Sequence, residues 1–322
     1  MEPKLTTGHV LISILFFSIV AGILNSANVT GMGKEDAEVL RRLPYTFDFD
    51  GPAYPEPNLV FDGVFPKVPE RMVVYSVKEP NVTEASVREL AARYFDMPPD
   101  AELTRSHRMG LYWLNSGNRL VEVNPLTGSF NVAKVGKQDA KMIDKNYPSK
   151  EEAQNIAQEY LKSRGLLPKD AYLWRVVSKP ARGLARVGYL RKIGNYKTYG
   201  AGAKIHVKVG REGEVIGVRK TWQELIPYKA YPIKSPEDAL AELQSGKGVL
   251  MNGDTGKVKE ITLRYYTSPQ KQEYVQPIYY FDCKGRKGSF RGIVPAIKDE
   301  YLRSKEETFK KRKKVRTGAA AK

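Results

Sequence analysis

The sequence predicts an α+β protein, with an N-terminal transmembrane helix followed by repeated units in which one helix lies on an antiparallel sheet. Three observations support this prediction. An apolar run stands near the N-terminus. After residue 75, a capped amphipathic helix followed by alternating strands occurs three times. The composition, with 41% hydrophobic and 10% aromatic residues among 322, is typical of a globular chain rather than a disordered one.

The apolar run Val10–Leu24 contains no charged residue. Its fifteen residues, at about 1.5 Å each, fall short of a hydrocarbon core of about 30 Å, but uncharged flanks could extend the span. A cleaved secretory signal peptide is the alternative, with Ala21 or Ala27 near the cleavage point. We therefore predict membrane attachment through residues 8–27. The expected location is the cell membrane, as a single-pass protein with an extracytoplasmic body, or outside the cell if the segment is cleaved.

The predicted organisation has six segments. They are an anchor or signal segment (1–30), a linker or strap rich in proline and aromatic residues (31–74), three α+β units (75–146, 147–230 and 231–300), and a disordered basic tail (301–322).

Helix-capping residues define the start of each predicted helix. The first helix begins at Thr83. The second begins at Ser149 and has Glu152 three residues later, which is the capping-box pattern. The third has Ser235 as its N-cap and Pro236 at its first helical position. The second and third helices are also preceded by similar sequence segments, which supports the prediction of a repeat.

Alternating strands follow each helix. The strands form two predicted hairpins, 119–123 with 129–132 and 203–209 with 215–220, and three strands in the third unit, 260–266, 274–281 and 289–296. In the second hairpin, Ile205 and Val207 should face one side, whereas Lys204, His206 and Lys208 should face water. We therefore expect each sheet to bury one face under its helix.

The helix, the three-strand sheet and the segments Gln276–Phe281 and Phe290–Ala296 resemble PepSY-like modules. The last two units together resemble the extracytoplasmic part of YycH/YycI-type proteins, which are bitopic membrane proteins that modulate a sensor kinase. The resemblance covers roughly residues 75–298. It implies a protein that acts through contacts with a protein partner, as a regulatory or accessory subunit of a cell-envelope complex. It transfers no catalytic residue, and the strong positive charge of this chain departs from those regulators.

The chain carries 53 basic and 36 acidic residues, a net charge of +17. Residues 1–100 contribute 9 basic and 14 acidic side chains (−5), residues 101–300 contribute 35 and 20 (+15), and residues 301–322 contribute 9 and 2 (+7). The densest cations of the tail are Lys310, Lys311, Arg312, Lys313, Lys314 and Arg316.

This charge supports an alternative function, the binding of an envelope polyanion by the basic tail and the sheet faces. A cell-wall polymer, an anionic lipid or a nucleic acid would be the ligand, and a solvated tail without a ligand is the plain alternative. Specific nucleic-acid recognition is not expected, because the sequence shows no zinc-finger, RRM or bZIP signature.

A segment rich in tyrosine and cations is the candidate surface for a protein partner. It contains Arg191, Lys192, Tyr196, Lys197 and Tyr199, which we place in a loop between two strands. Tyr and Arg are enriched in interface hot spots. Packing of these aromatic residues against a helix is the alternative interpretation.

The sequence predicts no enzyme, no cofactor and no metal site, since no recognised catalytic or phosphate-binding motif occurs. His107 and His206 both lie beside cations, which disfavours a metal role. Cys283 precedes three cations, and their charge could lower the pKa of its thiol. An unrecognised enzyme would require acids such as Asp282 or Glu260 in a shared pocket.

Overall fold

The structure is a computed structural model that describes residues 40–49, 57–106, 110–134, 148–179 and 184–310. The chain divides into two compact units, Met1–Leu40 and Arg41–Lys322, and every element below belongs to the second. Its α-helices with both ends among the described residues are α1 (Glu84–Phe95), α2 (Lys150–Ser163) and α3 (Pro236–Gln244), and residues 305–310 are also helical. Its strands are β1 (Asn58–Val60), β2 (Arg71–Val77), β3 (Glu102–Arg105), β4 (Tyr112–Asn115), β5 (Arg119–Val123), β6 (Phe130–Lys134), β7 (Ala171–Lys179), β8 (Leu184–Ile193), β9 (Tyr196–Gly200), β10 (Ala203–Val209), β11 (Val215–Trp222), β12 (Leu225–Pro232), β13 (Val249–Met251), β14 (Thr255–Thr267), β15 (Tyr274–Gly285) and β16 (Gly288–Pro295).

The three helices begin where their capping residues predicted. The side chains of Thr83, Ser149 and Ser235 each accept a hydrogen bond from a backbone N–H in the first turn. Such caps satisfy N–H groups that have no partner within the helix. The predicted hairpins also form, as β5 with β6 and β10 with β11.

The strands of the described residues form one mixed sheet of 16 strands. The main path runs β12-β2-β15-β14-β9-β8-β10-β11-β6-β5-β4-β3, and β1, β7, β13 and β16 pair beside it. Most neighbouring strands are antiparallel, but β1 and β9 both pair with β14 in parallel. The sheet is therefore continuous across all three predicted units.

One hydrophobic core lies between the helices α1 and α2 and the strands on the β8-to-β3 side of the sheet. Val87 and Phe95 of α1, Leu161 of α2, and Val121 and Ile205 of the sheet are fully or almost fully buried in it. Two helices that were predicted to cover separate sheets thus share a single core.

In the other part of the sheet, which contains β14, β15 and β16, a different segment packs on each face. Helix α3 packs on β16, with Leu243 against Gly292. On the opposite face lies a segment that we call the strap, residues 41–49. Phe47 of the strap is fully buried among sheet side chains. Asp48 accepts hydrogen bonds from the hydroxyl groups of Tyr266 and Ser268.

The strap is also hydrogen-bonded to the segment that follows the last strand. The Leu43 N–H donates to the Tyr301 carbonyl at 2.8 Å, and the Arg303 N–H donates to the Leu43 carbonyl at 2.8 Å. The Tyr45 N–H donates to Thr308 Oγ1 at 2.9 Å. These contacts place Leu43 beside Leu302 as a parallel β-bridge.

The predicted fold class is therefore wrong in its architecture. Independent helix-on-sheet units do not form, because β2 pairs with β12 and β15 and because β9 joins β8 to β14. The predicted transmembrane helix has no counterpart among the described residues, where no helix is long and apolar enough to cross a membrane. The segment 8–27, on which that prediction depended, lies outside the described residues.

Candidate polyanion-binding site

Strand alternation separates core residues from cations on β10. Ile205 and Val207 are fully buried under the helices, whereas Lys204, His206 and Lys208 lie on the opposite face and are half-buried. This separation was predicted from the sequence. The face opposite α1 and α2 is consequently the one on which cations gather.

The neighbouring strands add further cations to this face. His206 stands opposite Gly188 of β8 and Arg219 of β11, and Lys208 stands opposite Arg186. Arg175 of β7 is the partner of Gly188 on its other side. We call the resulting surface the basic face, and its residues are Arg175, Arg186, Lys204, Lys208 and Arg219.

A β-bulge places a tryptophan on the basic face. The pairing of β7 with β8 shifts register between Leu173 and Arg175, which leaves Trp174 as the extra residue. A Cβ atom on Gly188 would lie 3.3 Å from Trp174 Cε3 and 3.5 Å from His206 Nδ1. The edge of the indole therefore lies over the glycine backbone, and 38% of Trp174 remains exposed.

Two cations flank the Trp174 ring. The guanidinium carbon of Arg175 lies 4.1 Å from the ring centroid, and Lys204 Nζ lies 5.4 Å from it. Both distances are within the range of cation–π attraction. This attraction orders the two cations without neutralising their charge.

A second cluster lies on β9, β14, β15 and β16. Arg264 is stacked on Tyr280 at 3.5 Å from the ring centroid, and the rings of Tyr199 and Tyr280 are 5.1 Å apart. Burial raises the pKa of both tyrosines, and the charge of nearby Arg291 opposes that shift. We call these four residues, Arg264, Arg291, Tyr199 and Tyr280, the arginine–tyrosine cluster.

The pKa shifts show that the two groups of cations repel each other. Burial lowers the pKa of Lys204, and the charges of Arg175 and Arg291 lower it further. The pKa of His206 falls from 6.5 to about 4, first through burial and then through the charges of Lys204, Arg175, Arg219 and Arg186. His206 is therefore neutral near pH 7, and its surroundings have a positive potential.

The cations of the basic face and of the arginine–tyrosine cluster make no ion pair with a carboxylate in the described part of the chain. Elsewhere on the surface, Lys78 pairs with Glu224 at 3.0 Å, and Lys134 pairs with Glu214 at 2.6 Å. The acid nearest in the strand register is Asp282, the cross-strand neighbour of Arg291. The site thus keeps an excess of positive charge.

The predicted protein-contact residues do not lie in a loop, as expected, but on the paired strands β8 and β9, which join the two parts of the sheet. Arg191 forms an ion pair with Asp170 at 2.6 Å and donates to the Gln223 carbonyl at 2.7 Å. Tyr196 packs against Tyr265 at 6.1 Å between ring centroids. Arg191 and Tyr196 therefore have partners within the fold.

The other three residues of that prediction are distributed differently. Lys192 Nζ lies 5.6 Å from the ring centroid of Tyr172, and Lys197 is exposed. Tyr199 belongs to the arginine–tyrosine cluster. Of the predicted tail cations, Lys310 is the last described residue, and Lys311, Arg312, Lys313, Lys314 and Arg316 lie outside the described residues, as does His107.

Cys283 is buried in β15, and burial raises the pKa of its thiol to about 12. The predicted lowering of this pKa is wrong, because burial of the thiolate and the negative charge of Asp282 both raise it. Glu260 and Asp282 are cross-strand neighbours. Within the described ranges, no group of three His, Cys, Asp or Glu residues could hold a metal ion.

Sequence reasoning did not single out six residues of the site, which are Trp174, Arg175, Arg186, Arg219, Arg264 and Arg291. The letters around Trp174 alternate poorly, since a bulge breaks the period of two. Arg264 and Arg291 come into position through the pairing of β14, β15 and β16 and through the contact of β9 with β14. No local signal in the sequence specifies these long-range contacts.

No protein-family model and no curated protein matches the chain. Among solved structures, the chain is similar to the crystal structure of an uncharacterized protein from Eubacterium rectale. The two share 10% identity with a TM-score of 0.38, over 74% of this chain and 87% of the other. These comparisons give no support to the resemblance to PepSY-like modules or to YycH/YycI-type proteins.

Proposed function

We propose that this chain binds an extended polyanion through the basic face and the arginine–tyrosine cluster. The observation that carries the proposal is a group of seven cations on adjoining strands without an ion-pairing carboxylate among the described residues. Burying or crowding like charges costs free energy, and a bound anion offsets that cost. A polymer of phosphate or sulfate groups would contact several of the cations at once.

The pKa shifts agree with this arrangement of charge. The positive charges that lower the pKa of His206 and Lys204 come from different strands, β7, β8, β11 and β16. Their fields therefore overlap on one surface. Such a surface attracts polyanions and increases the rate of association at low ionic strength.

The test is the binding of long-chain inorganic polyphosphate to the full-length chain at several salt concentrations. The key variant replaces the three exposed arginines of the basic face, as Arg175→Gln, Arg186→Gln and Arg219→Gln together. Each lost phosphate contact should reduce the steepness of log K against log salt by about 0.7 to 0.9, so the triple variant should lose about 2 to 3.

The matched control removes three ion-paired lysines elsewhere, as Lys78→Gln, Lys134→Gln and Lys271→Gln together. It changes the net charge equally, and exposed ion pairs contribute little stability. Equal loss of binding in both triple variants would show that overall charge decides affinity. Unchanged binding in the arginine variant would overturn the proposal. The protein-partner function stays a prediction.

A further inference from the structure

We propose that the polyanion is a single-stranded nucleic acid, one of whose bases stacks on Trp174 while its phosphates contact the cations. This inference rests on the proposed function. It concerns recognition through stacking and charge, without reading of the base sequence. Single strands expose the π faces of their bases, whereas duplexes do not.

The position of Trp174 favours a ligand with flat rings. A large aromatic residue that is 38% exposed on a sheet face forgoes burial that a core position would provide. The ring is held over Gly188, where a larger side chain would collide with it. A polymer of phosphates alone would gain nothing from this arrangement. A base would gain stacking.

Cations lie against aromatic rings at three places in the site. Arg175 and Lys204 flank Trp174, Lys192 lies by Tyr172, and Arg264 is stacked on the buried ring of Tyr280. Each base of a nucleic-acid strand is joined to a phosphate, so an exposed ring between two cations, as at Trp174, matches both parts of a nucleotide. The charge of Arg264 also reaches Tyr172, and that of Arg291 reaches Lys204, so the two clusters adjoin.

A second tryptophan on the same face provides the matched control. Trp113 lies in the row of cross-strand partners His206, Arg219, Asn131, Glu122 and Trp113. Its Nε1–H donates to Glu122 Oε2 at 3.3 Å. Trp113 is thus beside a carboxylate, where a phosphate would be repelled, whereas Trp174 is beside two cations.

The experiment measures binding of the full-length chain to four nucleic-acid probes of about 15 nucleotides. Three are single strands, namely oligo(dT), oligo(U) and an abasic strand with the same phosphates, and the fourth is a duplex of the oligo(dT). We expect oligo(dT) or oligo(U) to bind more tightly than the abasic strand and the duplex. The preference between dT and U identifies DNA or RNA as the ligand, and either result supports the inference.

Trp174→Leu should weaken oligonucleotide binding by about tenfold or more, because one stacked base is lost, and should leave abasic-strand binding unchanged. Trp174→Phe should restore part of the affinity, and Trp113→Leu should have no effect. If Trp174→Leu weakens binding of the oligonucleotide and of the abasic strand equally, or weakens neither, stacking is absent and the inference is wrong. If polyphosphate and the abasic strand also fail to bind, the proposed function itself is wrong.

Discussion

Gly188 determines where the Trp174 ring can lie. A Cβ atom at this position would approach both Trp174 and His206 closely, so a glycine lets the two rings share the surface of β8. The same glycine leaves the backbone flat between Arg175 and His206, its cross-strand neighbours. One absent side chain thus allows aromatic rings and cations to gather on one strand.

His206 should report the potential of the basic face directly. Its pKa is about 4 in the folded chain and near 6.5 in the unfolded chain. As pH falls from about 6.5 to about 4, the unfolded chain takes up a proton that the folded chain rejects, so the free energy of unfolding decreases. The full contribution is present above pH 6.5, and its loss by pH 4 is roughly 3 kcal/mol at most.

The measurement is urea unfolding of the wild type and of His206→Gln at about pH 7 and about pH 4. Because glutamine does not titrate, the wild type should lose more stability than the variant on acidification. An equal loss would show that burial and the neighbouring cations do not lower the pKa of His206. Added polyphosphate should raise the pKa of His206 in an NMR titration, since a bound anion favours the imidazolium.

At the scale of elements, β9 joins the two parts of the sheet through very close backbone contacts. It is antiparallel to β8 and parallel to β14. A Cβ atom on Gly200 would lie 2.1 Å from the Thr267 carbonyl oxygen, and one on Gly202 would lie 2.1 Å from the Ser268 carbonyl oxygen. Neither distance is compatible with a side chain, so the junction requires glycine at both positions.

Gly202→Ala should therefore lower the free energy of unfolding by more than about 2 kcal/mol, because β14 must move away to admit the methyl group. Gly194→Ala is the matched control in the turn between β8 and β9. Gly194 has φ +57 and no atom within 4 Å of an added Cβ, so only the cost of a left-handed residue applies, about 1 kcal/mol. Equal losses in urea unfolding would contradict a tight junction at β9.

The elements that depend on local sequence patterns were predictable. The caps at Thr83, Ser149 and Ser235 fixed the helix starts, and alternation on β10 separated core residues from cations. The joining of the units was not predictable, because pairs such as β2 with β12 connect distant segments whose register no local pattern specifies. The position of Trp174 was not predictable for a related reason, because a bulge changes which face of the sheet the following residues occupy.

At the scale of the whole molecule, the continuous sheet predicts one cooperative unfolding transition for residues 41–310. The three tryptophans, Trp113, Trp174 and Trp222, all lie on strands of the α1 and α2 side. Phe47 of the strap lies in a second core, on the other side of the β9 junction. Separate repeated units would unfold independently. In one continuous sheet, the loss of packing in either core should destabilise the whole sheet.

Phe47→Ala should shift the urea midpoint seen by tryptophan fluorescence, as expected for a loss of about 3 to 5 kcal/mol from a fully buried aromatic. Circular dichroism should give the same midpoint. Val64→Ala is the control, because Val64 is 94% exposed and contributes little packing. An unchanged fluorescence midpoint, with a separate transition in circular dichroism, would show that the two cores unfold independently.

The contact between the strap and residues 301–303 sets a minimum time for folding during synthesis. Arg42 donates to the Leu302 carbonyl across 260 positions of sequence. At about 5 to 20 residues per second, a ribosome needs roughly 13 to 50 s to make the intervening chain. Throughout that interval Leu43 lacks its β-bridge partner Leu302, whereas the core of α1 and α2 has all of its strands once β11 has been made. The strap is therefore among the last parts of the nascent chain to reach its final place.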